Sequence, residues 1–461
     1  MLTKDKAAKI FEQIKKHSTA DEVEALIYGG KSALTRFANN TIHQNVAEEN
    51  YSISVRTAFD GRTARATTNK FDNESLKRVV QASESLAKVQ HPDSDLLAMP
   101  GAGESPAATQ ARPSRHFVQT AGLTPELRAD AVKKIVRVAT QHKLTTAGIF
   151  SSSESVEGIF NSRGLNDWHT QTSAEISITM LAADSSGWQK ASSPDVSRLD
   201  PAALAEISAR KALESAGPRE IPAGKYTVIL EPAAVLDMAG FMFFDFGGLS
   251  ILDQRSFLNN RVGTQIFGAN INIWDDVAHP LQSGTPFDGE GIRRQRVHLV
   301  DNGIVKRLVY ARATAEKMKQ SEYKDKVGPV AATGHGFSLP NEMGEAPMNI
   351  VFGTPPDPKT VEQMIASTER GVLVTRLWYI REVDPYEKLL TGMTRDGTFY
   401  VEDGKIRHGI LNFRFNESLI HMLSSVEAMG IPVRASGEES FDMVAPPMKV
   451  RDFNFTEVTK F

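Results

Sequence analysis

Tyr51-Ser-Ile-Ser-Val-Arg-Thr57, followed by Asp60-Gly61 and then by Thr63-Ala-Arg-Ala-Thr67, is the stretch on which the fold turns. Tyr51, Ile53, Val55 and Thr57 lie on one side of an extended chain and Ser52, Ser54 and Arg56 on the other, the period of two expected of a strand. Asp60-Gly61 supplies the positive-φ positions of a tight hairpin, so Thr63 to Thr67 returns as the antiparallel partner. Upstream, Val23, Ala25 and Ile27 alternate in the same way. Helical spacing brackets these strands. Ala7, Ile10, Phe11 and Ile14 share one face of a first helix, and Val79, Ala82, Leu86 and Val89 one face of a second that starts near Asn73. The expected class is α+β, with N-terminal helices packed on an antiparallel sheet.

Between about residues 91 and 123 the pattern dissolves into Pro92, Pro100, Pro106 and Pro113 with Gly101 and Gly103, the composition of a flexible linker. Thr124-Pro125-Glu126 then marks a helix start, an N-cap followed by proline in the first helical position and an acidic first turn. Its expected stripe is Leu127, Ala131, Ile135 and Val138. Strand signals at 147–151, 158–161 and 174–180 and a helix around 202–216 complete an N-terminal domain of residues 1–220. A C-terminal domain, 221–461, is richer in hairpins, with turns expected at Asn302-Gly303, Asp396-Gly397 and Asp403-Gly404. β-prone runs at 372–377 and 398–401 imply a large, mostly antiparallel, barrel-like sheet accompanied by helices. Near the end, Asn416 is expected to cap a helix carrying Ile420, Leu423 and Val426, stopped by Gly430 and Pro432.

Composition excludes several functions. The 461 residues hold 53 basic and 56 acidic side chains, a net charge of −3 in mixed order, which gives no footprint for nucleic-acid binding. The strongest basic spot, Arg293, Arg294 and Arg296, reads as a solvated strand face without neighbouring aromatics for stacking. No apolar run is long enough to span a bilayer, and the first residues lack the pattern of a secretory signal, so the expectation is a cytoplasmic protein that does not enter membranes. The absence of cysteine removes disulfides, thiolate nucleophiles and thiolate metal sites together. Walker-type and dinucleotide glycine loops are also missing.

Zinc hydrolases hold their metal with two histidines one helical turn apart, and no such pair occurs. Two looser constellations remain: Asp275, Asp276 and His279 after a strand-like run, and His335 with Glu342 and Glu345 in a glycine-rich loop. Polar surface loops explain both more simply. Gly284-Thr-Pro-Phe-Asp-Gly-Glu-Gly291 stands out because Pro286 and its glycines frame Phe287, Asp288 and Glu290 immediately before a strand. It is read either as a tight turn or as the lining of a cleft, and glycine clusters more often answer a backbone need.

The run from Ser283 to Arg294, Ser-Gly-Thr-Pro-Phe-Asp-Gly-Glu-Gly-Ile-Arg-Arg, followed by Val300-Asp-Asn-Gly-Ile304, closely resembles the TldD/PmbA family, also called modulators of DNA gyrase. Phe160-Asn-Ser-Arg-Gly-Leu165, Gly371-Val-Leu-Val-Thr-Arg376 and Phe399-Tyr-Val-Glu-Asp-Gly-Lys-Ile406 agree with it. The resemblance implies a metalloprotease family with two kinds of subunit. The peptidase type carries His-Glu-x-x-x-His on the helix after the strand that here reads Tyr226-Thr-Val-Ile-Leu230, and a later cysteine completes its zinc site. At the corresponding positions this chain has Glu231, Pro232 and Leu236, so the resemblance implies the TldE or PmbA type, a subunit without its own catalytic zinc. Zinc is then expected in a TldD-type partner of a heterodimer that acts on unfolded or precursor peptides, this chain itself carrying no cofactor. Capture of an extended peptide suits strand addition at a sheet edge. The alternative is a free-standing homodimer that binds peptides or small molecules in a degenerate cleft, and a third reading places new chemistry on His335, Asp288 or Glu290.

Overall fold

The computed structural model describes residues 1–105 and 112–459; Pro106 of the expected linker lies outside them. The quoted stretch forms the edge of a six-stranded antiparallel sheet in the order β3-β2-β1-β4-β5-β6. Its strands are β1 (Glu22–Ala38), β2 (Thr41–Phe59), β3 (Arg62–Thr68), β4 (Thr145–Asn161), β5 (Asn166–Leu181) and β6 (Ser186–Ser193). Asp60 and Gly61 take φ of 44° and 75°, the left-handed values the hairpin turn requires. Pairing of β1 with β4 along their length, Glu24 opposite Asn161 to Phe37 opposite Gly148, places residues before and after the proline-rich stretch in one sheet. The described part of that stretch lies against the sheet: Met99 and Arg115 are buried, and Asn161 donates a hydrogen bond to the Pro100 carbonyl.

Helices α1 (Lys4–His17) and α2 (Asn73–Val89) cover one part of the sheet around Phe11, Ile27, Val55 and Val80. After the short α3 (Val118–Ala121), α4 (Pro125–Gln141) and α5 (Pro201–Glu214) cover another around Ile135, Phe150, Ile176 and Ala209. The buried face of α2 differs from expectation: Leu76, Val79, Val80, Ser83, Glu84 and Ala87 are inside, whereas Leu86 and Val89 are exposed. Two polar side chains define that face because they have partners. Ser83 donates to the Ala64 carbonyl and meets the Thr57 hydroxyl, and Glu84 accepts from Ser18 and Thr19. Leu127 on α4 is likewise exposed, leaving Ala131, Ile135 and Val138 to pack.

The second half begins with β7 (Gly224–Leu230) and α6 (Pro232–Ala239). Four short strands follow, β8 (Ile273–Asp275), β9 (Val297–Asp301), β10 (Ile304–Val305) and β11 (Ile350–Phe352). Then come β12 (Arg370–Asp384), β13 (Leu389–Glu402), β14 (Lys405–Gly409), β15 (Phe413–Ser418), β16 (Val426–Met429), β17 (Val433–Ala435), β18 (Met443–Ala445) and β19 (Met448–Val458). Strands β12, β7, β19, β15 and β13 close on themselves through the β12–β13 pairing, a barrel that is antiparallel except between β7 and β12. Phenylalanines from β15 and β19 fill it, with Phe413 and Phe455 stacked at 4.6 Å between ring centroids. A second sheet runs β10-β9-β8-β11-β18-β17.

Two local expectations change here. Asp396-Gly397 is a bulge inside β13, where the register with β12 shifts between Val374 and Arg376, rather than a hairpin turn. Asn416 belongs to β15. The helix Leu419–Ser424 is capped by Ser418 and ends before Val426, which enters β16 because its partner Val450 on β19 completes a ladder. Propensity alone could not see that partner.

Candidate functional site

The barrel strand β7 delivers the chain into α6, and at this junction the three positions assigned to a zinc motif are found. Glu231 is the N-cap residue, yet its carboxylate leaves the helix end free and meets Lys211 Nζ on α5 at 2.7 Å. Lys211 is buried and also donates to the Trp188 carbonyl and to Gln189. Pro232 occupies the first helical turn, where its missing N–H costs nothing. Leu236 is fully buried in the core. These residues do not fit a catalytic zinc: one carboxylate is neutralised by a lysine, and the other two positions have no ligand atom. Among the described residues no group of three His, Asp or Glu side chains is placed to hold a metal ion.

The next residue on α6 is Asp237, which the sequence reading passed over. A lone acid inside Pro232–Ala239 was the available signal. Its Oδ1 accepts from the amides of Glu438 and Glu439, pinning that loop onto the helix at Gly437, where a Cβ would collide with Leu236 and Asp237. Burial pushes the Asp237 carboxyl up to about 7, against the pull of those two amides. Because the folded value lies above the unfolded one, its stabilising effect is full below about pH 4 and disappears as pH rises through 7. Wild type is therefore expected to lose about 2–3 kcal/mol from this group between pH 5 and 8, and Asp237→Asn, which keeps an amide acceptor, to flatten that slope. Urea titrations at the two pH values measure it; an unchanged slope refutes it.

The turn Gly284–Gly291 lies where the two halves meet, closed by the bridge of Phe287 with Arg293. Asp288 organises it from inside. One carboxylate oxygen accepts from the amides of Glu290 and Ile292, each at 2.9 Å, and the other from Gly336 at 2.8 Å. Burial raises its pKa despite these donors and Arg294. Glu290 accepts from the Arg312 amide, and burial followed by the neighbouring Asp288 charge lifts it to about 7. Phe287 is buried against Ile159 and Leu165.

His335 is fully buried, its Nδ1 3.0 Å from the Thr333 hydroxyl. Its Nε2 lies 3.0 Å from Asp275 Oδ1, a charge contact whose angle is not that of a hydrogen bond. The fold thus joins one member of each loose constellation and disperses the rest. Asp276 pairs with Arg296 at 3.3 Å, the His279 carbonyl accepts from Arg115, Glu342 is exposed, and Glu345 accepts from Leu249, Ala311 and Thr314.

Beside the turn runs a groove of about 560 Å3 whose walls include Gln171, Ser283, Phe287, Arg294, Asn349 and Arg434. The basic spot is not a strand face: Arg293 to Arg296 precede β9, and Arg294 turns inward. Aromatics do accompany it, with Arg296 over the Trp274 ring at 5.3 Å, because β8 brings that tryptophan from a separate segment.

Family models cover most of this architecture. The PmbA/TldA metallopeptidase domain 1 matches residues 23–87, the central domain 121–216 and the C-terminal domain 223–457. The chain belongs to the PmbA/TldD family. It is 22% identical over 415 residues to metalloprotease PmbA of Escherichia coli O157:H7, covering 87% of this chain and 85% of that protein. To the metalloprotease PmbA homolog of Haemophilus influenzae it is 20% identical, covering 82% and 80%. The solved structure of TldE from Thermococcus kodakarensis superposes with a TM-score of 0.84 at 18% identity, over 98% of this chain and all of that one, which shows a shared fold. The family's first two models fall on the one sheet β3-β2-β1-β4-β5-β6, and its third on the barrel and the second sheet. No helix among the described residues is long and apolar enough to cross a membrane.

Proposed function

We propose that this chain is the non-catalytic, TldE-like subunit of a heterodimeric cytoplasmic peptidase, pairing with a zinc-bearing TldD-type chain and shaping the access of extended peptides to it. The observation that carries the reading is the junction of β7 and α6, where Glu231 is bound by Lys211, Pro232 starts the helix and Leu236 is core. A helix committed in this way serves architecture, and the hydrolytic chemistry is assigned to the partner. The groove between the halves, bordered by side-chain amides and hydroxyls, suits an extended backbone that needs hydrogen bonds more than a particular sequence.

Co-expression with a His-Glu-x-x-x-His relative from the same genome tests the proposal. The expected result is one complex on size-exclusion chromatography, zinc in that complex at one ion per heterodimer, and peptide cleavage that neither chain performs alone. Stoichiometric zinc in this chain alone, or a stable homodimer that ignores the relative and leaves its cleavage unchanged, would overturn it.

A further inference from the structure

A second cavity, of about 200 Å3, opens on the other side of the turn and shares Phe287 and Arg294 with the groove. Four arginines line it, Arg112, Arg293, Arg294 and Arg296, against two aspartates. Asp276 is already paired with Arg296. Arg112 and Arg294 have no carboxylate within ion-pair distance among the described residues, and the segment 106–111 reads Pro-Ala-Ala-Thr-Gln-Ala, with no acid to offer. Arg112 donates to the Gly284 carbonyl and touches His169 Nδ1 at 3.5 Å; among the described residues its Nε is buried without a partner, as are Nε and Nη1 of Arg294. Burial, then the charges of Arg115 and Arg294, brings the Arg112 guanidinium down to about 10. Burial, then Arg112, holds His169 down to about 4, so the imidazole is neutral at physiological pH.

Arg294 feels the charges of the buried Asp275 and Asp288, yet neither reaches ion-pair distance. Two like charges facing one cavity, with guanidinium N–H groups left open, are relieved by an anion. Burial without one is costly, which separates this arrangement from an ordinary solvated basic face. A planar acceptor with two oxygens matches the guanidinium fork, and the Trp168, Val277 and Phe287 walls suit an aliphatic stem beside it. The shared wall with the groove leaves room for the chain that bears the acceptor.

We propose that this cavity recognises a carboxylate of a bound peptide, from an acidic side chain or the C-terminus, seated between Arg112 and Arg294, so that the subunit selects peptides by that carboxylate. The proposal rests on the peptide-shaping reading above and adds a substrate class to it.

Calorimetric titration of the purified full chain with four unlabelled tetrapeptides, and separately with inorganic phosphate, tests this. Ala-Leu-Ala-Glu and Ala-Leu-Ala-Gln are each used with a free and with an amidated C-terminus. Peptides carrying a carboxylate are expected to bind at least about tenfold tighter than the neutral amidated glutamine peptide, with Arg294→Gln and Arg112→Gln each removing about tenfold or more. The amidated glutamate peptide against the free-ended glutamine peptide tells a side-chain carboxylate from a terminal one. Arg112→Gln is the safer variant for folding, since among the described residues the side-chain hydrogen bonds of Arg112 go to the Gly284 carbonyl and His169 and it pairs with no carboxylate. Equal binding of all four peptides, no binding of any, binding of inorganic phosphate alone, or wild-type affinity in folded variants would overturn the proposal. Binding is read on this chain by itself, so failure to find a peptidase partner leaves carboxylate recognition standing, and carboxylate-independent binding here defeats only this inference.

Discussion

Asp288→Ala is expected to cost about 3–5 kcal/mol in unfolding free energy and to expose the amides of Glu290, Ile292 and Gly336 to hydrogen exchange. The carboxylate accepts all three N–H groups in a buried turn, and each donor left without a partner costs about 1–3 kcal/mol. Partial relaxation of the loop keeps the total below the sum of the maxima. Asp288→Asn separates hydrogen bonding from charge. Its single oxygen retains two donors, whereas its amide turns a donor toward the Gly336 N–H, so an intermediate loss is expected. The loss should concentrate at Gly336, because that amide reaches across from the His335 loop. Urea titration with amide exchange reads both variants; an alanine variant within 1 kcal/mol of wild type would show that the turn is held by its glycines and proline alone.

The residues that make this turn were visible in sequence, but their task was not. Glycines and proline around Asp288 announced a special backbone, and the choice between a turn and a cleft lining depended on where the carboxylate points. Hairpins such as Asp60-Gly61 and Asp403-Gly404 were legible because their signal is local, a left-handed pair between alternating strands. The face of α2 was not. Ser83 and Glu84 are buried by partners on β2, β3 and the end of α1, and a rule that ranks faces by apolar content cannot anticipate them. The same limit governs the site. Glu231, Pro232 and Leu236 could be placed by comparison with a motif. Lys211, which decides what Glu231 does, lies on the other side of the domain boundary. Arg112 and Arg294 meet only because the sheet and the second half pack together, so composition reads them as two unrelated surface charges.

Removing His335 is expected to cost a further 3–5 kcal/mol, roughly the effect of stranding a buried charge, and to do so without revealing any catalytic function. Both ring nitrogens are engaged, one by Thr333 and one by Asp275, and the ring is shielded from solvent. Asp275 also accepts from the amides of Met348 and Asn349 at its other oxygen, so it cannot turn elsewhere when the imidazole goes. Burial pushes this carboxyl up, yet the His335 charge and these donors outweigh it and hold the pKa below the ordinary aspartate value. The sign follows: the contribution is present above about pH 4 and is lost as pH falls through the depressed value. His335→Ala combined with Asp275→Asn should recover a substantial share of the loss, because the neutral amide keeps one side-chain oxygen to accept from the Met348 and Asn349 amides and no longer leaves a charge unpaired. A double-mutant cycle at pH 7 measures the coupling, expected at about 1–3 kcal/mol. Additive losses would mean that the two side chains stabilise the fold independently. A His335→Ala variant with wild-type stability that nevertheless abolished a peptidase activity of the isolated chain would reverse the assignment, returning the histidine to chemistry and this subunit to the enzymes.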